Sequence, residues 1–325
     1  MKNVMEKNWK QFPRPDIDPL EQLAPSSYST QTTAYFNHYG LNCAPEIEHF
    51  FGFFVSGPYR LAAHLYLPEQ YKAAVLLLHG YLNHSGQMRH LLDFLLKNQF
   101  AVAIYDFPGH GLSSGRPAHI DHFEEYTLTL KDFLNLISPR LHGPYHAVGF
   151  SMGAAVLIDA ILTHPVQSFD RIILAAPLLH WSAYTLSKPL WKIASRFTDQ
   201  IPRLQRKNSS DPAFLTFNRT QDYLHAQTVS LSWVKALYRW NDKLSALPPS
   251  PVKLLILQGT SDRTVHWKYN LSVLSQKFPA AQIRLIPNAR HELFHETGPL
   301  RQKAVQAVLE FLSSKDFVSF SKKTL

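Results

Sequence analysis

Short unbroken apolar runs recur along the chain: Ala73 to Leu78, Phe100 to Tyr105, the run through Ala147-Val148, Arg171 to Pro177 and Val252 to Gln258. A run of this length without polar alternation fits a strand covered on both faces, as in a parallel sheet. Gln282 to Ile286 is the last strand expected. Upstream, Glu46 to Pro58 and Tyr59 to Pro68 read as two strands joined by a Ser-Gly-Pro turn. Between these runs the apolar spacing becomes helical, around Met88 to Leu96, over Phe123 to Ile137, after Ser151 and over Leu300 to Leu312. Strands alternating with helices predict an α/β fold, with a mostly parallel central sheet flanked by helices.

The pattern breaks twice. Residues 1–46 read as a loosely structured N-terminal arm, because Pro13, Pro15, Pro19 and Pro25 interrupt any regular element. Leu178 to Pro249 shows no buried strand and holds four of the six tryptophans, Trp181, Trp191, Trp233 and Trp240. It reads as a helical cap inserted before the penultimate strands. The expected organisation is therefore the arm, a core over 47–177, the cap over 178–249, the rest of the core over 250–313, and a tail over 314–325. The end of that tail, Phe317 to Leu325, is basic and expected to fray.

One junction carries chemistry. The strand-like run before Phe150 ends in Gly149-Phe150-Ser151-Met152-Gly153, and a small-residue helix starts at once. A serine on so sharp a strand-to-helix turn is held in a strained backbone conformation with its hydroxyl exposed. Gly149 and Gly153 leave room for the neighbouring strand and helix. The following helix directs its positive N-terminal end at the same point. Outside such a setting the five residues would be a chance match in a loop.

In a parallel sheet the ligand site lies beyond the carboxyl ends of the strands. His79-Gly80, Asp106, Ser151, Asp262 and His291 all fall at such ends. A serine hydroxyl needs a base within hydrogen-bond reach, and the base needs an orienting acid. His291 follows the last strand in a short loop and is the expected base. Its nearest rival among the 17 histidines, His295, falls in a helix-like stretch, Glu292 to Glu296. Asp262 is the expected acid, its bland alternative being a turn or helix-capping aspartate. The amides of Met152 and Tyr81 are the expected oxyanion donors. His79 reads as a structural residue beneath the loop.

Composition narrows the function. The chain has 325 residues, 45% hydrophobic and 18% charged, which fits a folded α/β protein and excludes disorder as the main state. No apolar run reaches transmembrane length, and Met1 to Leu20 has no apolar signal core. Cys43 is the one cysteine, so no internal disulfide forms and a cytoplasmic location is expected. The formal charge of +9 favours anionic surfaces or substrates. No nucleic-acid motif accompanies it.

Taken together, His79-Gly80-Tyr81 with Asn83-His84-Ser85-Gly86, Asp106 to Gly115, Gly149 to Gly153 and His291-Glu292-Leu293-Phe294 resemble the monoacylglycerol lipase and lysophospholipase branch of the α/β-hydrolases. The order Ser, Asp, His along the chain is also theirs. The resemblance spans about Glu46 to Leu312. It implies an α/β-hydrolase fold and cleavage of carboxylic esters through an acyl-serine, with no metal and no cofactor. It also implies the triad Ser151, Asp262 and His291. Relatives usually carry His before the serine and a second glycine after Ser-Met-Gly; this chain has Phe150 and Ala154.

The cap adds an independent pattern. Leu190, Ala194, Phe197 and Ile201 fall on one helical stripe flanked by Trp191 and Ile193, with Lys188, Lys192 and Arg196 opposite. Such a helix lies on an anionic lipid surface or roofs an apolar slot. The functional expectation is a serine esterase of monoacylglycerols or lysophospholipids. An aminopeptidase-like hydrolase on the same scaffold would need cap carboxylates to hold an ammonium group, and the cap offers Asp199, Asp211, Asp222 and Asp242 against a basic majority. Dehalogenase and epoxide hydrolase chemistry would call for an aspartate at 151. A catalytically silent binding module has no need to keep Ser, Asp and His at strand ends.

Overall fold

The computed structural model describes residues 18–20, 28–163 and 169–314. Its centre is an eight-stranded sheet. In chain order the strands are β1 (Ile47–Ser56), β2 (Tyr59–Pro68), β3 (Ala73–Leu78), β4 (Phe100–Tyr105), β5 (Tyr145–Phe150), β6 (Arg171–Ala175), β9 (Leu255–Gly259) and β10 (Gln282–Ile286). They lie side by side as β1-β2-β4-β3-β5-β6-β9-β10. β1, β2 and β4 pair antiparallel, and every later pairing is parallel.

The apolar runs have the expected cause. Along β3, Ala74, Leu76 and Leu78 enter one apolar cluster while Val75 and Leu77 enter another. β4 divides the same way, with Ala101, Ala103 and Tyr105 on one face and Phe100, Val102 and Ile104 on the other. Each face is covered, so no position along these strands is left for a polar residue. The covering helices are α2 (Arg89–Lys97), α3 (Glu124–Ile137), α4 (Met152–Thr163), α8 (Trp267–Lys277) and α9 (Gly298–Ser313). No helix among the described residues is long and apolar enough to cross a membrane.

The arm departs from expectation. Thr30–Tyr39 forms a helix, α1. Ser29 caps it by accepting from the Thr32 amide, and Gly40 closes it at φ 65°, a left-handed conformation that favours glycine. Tyr35 and Phe36 are buried against His49, Phe51 and His64 of the β1–β2 hairpin, and Tyr39 against His84. Pro13, Pro15 and Pro25 lie outside the described residues. Pro19 bridges to Phe53. The basic tail from Phe317 also lies outside them.

Between β6 and β9 the chain leaves the sheet and returns. This insertion holds α5 (Tyr184–Ala194), α6 (Pro212–Thr220) and α7 (Leu231–Ala246). It also holds two short antiparallel strands, β7 (Gln200–Pro202) and β8 (Thr228–Ser230). Neither is an apolar run, so neither was visible as a strand. The expected helical stripe from Leu190 to Ile201 is corrected: α5 stops at Ala194 and Ile201 sits in β7. The side chains of Leu190 and Lys192 lie outside those described. The insertion is fastened to the core through α7, where Trp240 stacks on Phe123 and donates its indole N–H to Asp159 at 2.9 Å.

Candidate active site

Ser151 occupies the turn between β5 and α4 at φ 51°. A left-handed serine costs about 1–2 kcal/mol, so the surroundings must impose it. They do so through the backbone: the Ser151 amide donates to the Ala175 carbonyl at 2.9 Å, and its carbonyl accepts from Leu178 at 3.2 Å. The two flanking glycines permit the turn. A Cβ on Gly149 would stand 2.5 Å from the Gly153 carbonyl oxygen, and one on Gly153 would stand 2.3 Å from that of Leu78.

His291, in the loop after β10, comes to this turn. Its Nε2 lies 3.0 Å from Ser151 Oγ, placed to accept the hydroxyl proton. Its Nδ1 donates to Asp262 Oδ2 at 2.8 Å. Asp262 is held from three further directions, by the amides of Thr264 and Val265 on Oδ1 and by Gln258 Nε2 on Oδ2. The three expected side chains are thus gathered in one line, all of them buried. Burial pushes the Asp262 carboxyl up, but the charge and hydrogen bonds of His291 and the amides outweigh it and leave its pKa lowered. Burial pushes the imidazole down, and the Asp262 carboxylate outweighs that too, leaving His291 raised above 6.5.

The two expected oxyanion donors lie at the ends of β3 and β5. Among the described residues, neither the Tyr81 nor the Met152 amide donates to a protein acceptor. The Tyr81 ring is fixed by the insertion. It stacks on Trp233 at 3.5 Å, its hydroxyl donates to the Ala118 carbonyl at 2.8 Å, and it accepts from the Ser230 amide at 3.0 Å. His79 lies beneath: its Nε2 accepts from the Phe107 amide at 3.0 Å, and burial holds its pKa at about 3. Asp106 joins two loops by accepting from Ser85 N at 2.7 Å and Leu112 N at 2.8 Å. Phe150, the departure before the serine, packs its ring 5.1 Å from that of His291. Ala154 is buried in the core under the turn. The rival His295 stacks on Phe214 at 4.2 Å and bonds to the Gln87 carbonyl, turned to another part of the molecule.

Several site neighbours had no role assigned from the sequence. Glu292 is buried beside His291, and burial raises its pKa. It accepts from Asn208 Nδ2 at 3.1 Å, while its amide donates to the Asn208 carbonyl at 3.0 Å. Glu296 accepts from the Ser210 amide at 2.7 Å and from the Arg290 amide. The insertion is therefore clamped to the His291 loop. A second buried centre lies at Asp222. It accepts from His84 Nε2 at 3.0 Å, Tyr39 hydroxyl at 3.0 Å, Gln87 Nε2, and the amides of Leu224 and His225 at 3.1 Å each. Paired carboxylates and isolated histidines look alike in a sequence until folding brings them together. No group of three or more His, Cys, Asp or Glu side chains among the described residues is arranged to hold a metal ion.

Comparison with known proteins adds the ancestry. The family described as Serine aminopeptidase, S33 matches residues 69–298. The chain is similar to a monoglyceride lipase homolog of Monkeypox virus, 23% identical and covering 73% of this chain and 88% of that protein. It is similar to a probable lysophospholipase L2 of Haemophilus influenzae, 22% identical and covering 86% and 97%. In fold it is similar to a soluble variant of monoglyceride lipase from Saccharomyces cerevisiae, solved in complex with a substrate analog. There the TM-score is 0.70 at 19% identity, over 80% of this chain and 94% of that one.

Proposed function

The chain belongs to the Serine aminopeptidase, S33 family, among the α/β-hydrolases that cleave carboxylic esters, and from that footing we propose a hydrolase of single-chain lipid esters, monoacylglycerols or lysophospholipids. The observation that carries the proposal is the line from Ser151 Oγ through His291 to Asp262, at 3.0 and 2.8 Å. Ser151 attacks the ester carbonyl while His291 Nε2 takes its proton. Asp262 keeps the other proton on Nδ1 and stabilises the imidazolium. The unspent amides of Tyr81 and Met152 receive the oxyanion. His291 then protonates the departing alcohol, and water, deprotonated by the same nitrogen, releases the acyl group. The scheme asks for neither metal nor cofactor.

The insertion serves as the cap in this reading. Its carboxylates favour an ester over a peptide amine. Asp199 pairs with Arg116, Asp211 caps α6, and Asp222 is buried in the His84 network, so three of the four are committed elsewhere. A fluorophosphonate probe tests the nucleophile: the adduct is expected on Ser151, with Ser151→Ala unlabelled and inactive on monoacylglycerols. Retained turnover in that variant overturns the assignment, and the absence of any adduct favours a silent scaffold.

The cap also presents apolar side chains to solvent. Phe197 is 83% exposed, Leu186 78% and Leu204 76%. Lys188, Arg196, Arg206 and Lys207 stand among them in the chain. We assign this surface to peripheral contact with anionic lipid, from a reducing cytoplasm that suits the single cysteine. Phe197→Asp should weaken sedimentation with vesicles containing phosphatidylglycerol several-fold. Equal sedimentation of variant and native protein would sink the idea.

A further inference from the structure

A recess of about 380 Å³ opens in the insertion, between residues 203–208 and α6. Its size falls in the range of small-molecule sites, about 300–1,000 Å³. Four cations line it, Arg203, Arg206, Lys207 and Arg219, and no carboxylate does. Asn208 and Thr216 add neutral polar groups. Among the described residues none of the four cations has a carboxylate within 4 Å, although Arg116, Lys243 and Arg284 elsewhere all have one. Of the acids close to them in the chain, Asp211 is turned to the amides of Ala213 and Phe214, Asp199 to Arg116, and Asp222 to His84. Arg203 is balanced in part by the buried charges of Glu292 and Asp222. Like charges gathered without counter-charge repel one another, and a bound anion relieves that repulsion.

The recess adjoins the site's own loops. Arg206 donates to the carbonyl of Arg263, next to Asp262, at 3.1 Å. The carbonyl of Lys207 accepts from Arg290, next to His291, at 3.0 Å. Asn208 holds Glu292, the residue after the base. The wall of the recess is thus tied to both loops that bear the acid and the base, and the short glycerol backbone of a lysolipid joins an ester to a phosphate. We propose that this recess holds the phosphate of an anionic head group while the acyl ester of the same molecule lies at Ser151. This deepens the esterase reading and rests on it. It selects lysophospholipids over monoacylglycerols. Among lysophospholipids it selects those with anionic head groups over choline esters, since a second row of positive charge cannot sit among these cations.

The test uses the full chain with lysophosphatidic acid, lysophosphatidylcholine and monoacylglycerol of one acyl length. Native protein should favour lysophosphatidic acid in kcat/KM. In Lys207→Gln with Arg219→Gln, the ratio of lysophosphatidic acid to monoacylglycerol turnover should fall at least about tenfold, because each position loses a charge-assisted contact. Lys207→Arg with Arg219→Lys should restore most of it, and Lys303→Gln, remote from the recess, should leave the ratio alone. An unchanged ratio in the double glutamine variant overturns the proposal. Calorimetric titration with glycerol 3-phosphate and with inorganic phosphate separates the sources. Weakening of glycerol 3-phosphate binding in the variant supports a head-group site. Tight inorganic phosphate binding with no effect on the substrate ratio marks a free-anion site and overturns it. Failure of every ester to turn over would refute the esterase reading instead. The recess is then judged on the titration, where equal affinity of native and variant protein refutes it as an anion site.

Discussion

His291→Ala should lower kcat/KM for an acyl ester by on the order of 10⁴–10⁶-fold with little change in KM, because base and proton donor are lost together. The pH profile makes the test specific. The imidazole must be neutral to take the Ser151 proton, so activity rises with pH through the pKa of His291. Burial alone would lower that pKa; the Asp262 carboxylate raises it above 6.5, so the midpoint of the acid limb lies above pH 6.5. Asp262→Asn removes the raising influence and leaves burial, so the midpoint should move to lower pH. The rate should fall about 10⁴-fold, since nothing then holds the correct tautomer. Initial rates on a short ester from pH 5 to 9 decide both points. A His291→Ala variant within tenfold of native activity would refute the role given to it.

The second large effect concerns stability. Asp222→Ala should cost about 3–5 kcal/mol, because it strands several buried donors at once. His84 Nε2, the Tyr39 hydroxyl and Gln87 Nε2 all lose this acceptor, and Gln87 Nε2 keeps the long contact to Asn218 Oδ1 at 3.5 Å. The loss should depend on pH. Burial alone would raise the Asp222 carboxyl, but His84 outweighs it and its pKa is lowered. Its contribution is therefore present above about pH 3.9 and fades as pH falls through the folded-state value. Burial alone would lower His84, but Asp222 outweighs it and its pKa is raised. Its contribution is full below about pH 6.5 and fades as pH rises through its folded-state value. The cost of Asp222→Ala should be greatest between about pH 4 and 6.5 and smaller on the alkaline side. Urea unfolding at pH 6 and pH 9 measures it. A change under about 1 kcal/mol at pH 6 would show that water replaces the carboxylate without strain.

The strands were legible because burial on both faces leaves a continuous apolar run, as in Ala73 to Leu78. The meeting of Ser151, Asp262 and His291 was legible for a topological reason: all three follow parallel strands, and parallel strands end on one side. What escaped detection has equally physical causes. α1 buries aromatic side chains rather than an aliphatic stripe, and it follows a proline-rich stretch. α8 buries Asn270 and Lys277 along with Leu271 and Leu274, which blurs its apolar face. β7 and β8 are three residues each, too short for any period. The Asp222–His84 contact joins positions 138 residues apart. No local pattern announces such a pair; only the closed fold brings them together.

The clamp between insertion and His291 loop bears on protein engineering. Residues 178–249 look exchangeable, a module to be replaced with one from a relative of different taste. Asn208 and Ser210 leave with that module, while Glu292 and Glu296 stay behind. A chimera made by simple exchange would carry two carboxylates with vacated partners in the loop that aims the imidazole. A graft that preserves the recipient's residues 207–210, or imports the donor's own 290–296 with its segment, keeps that loop in register.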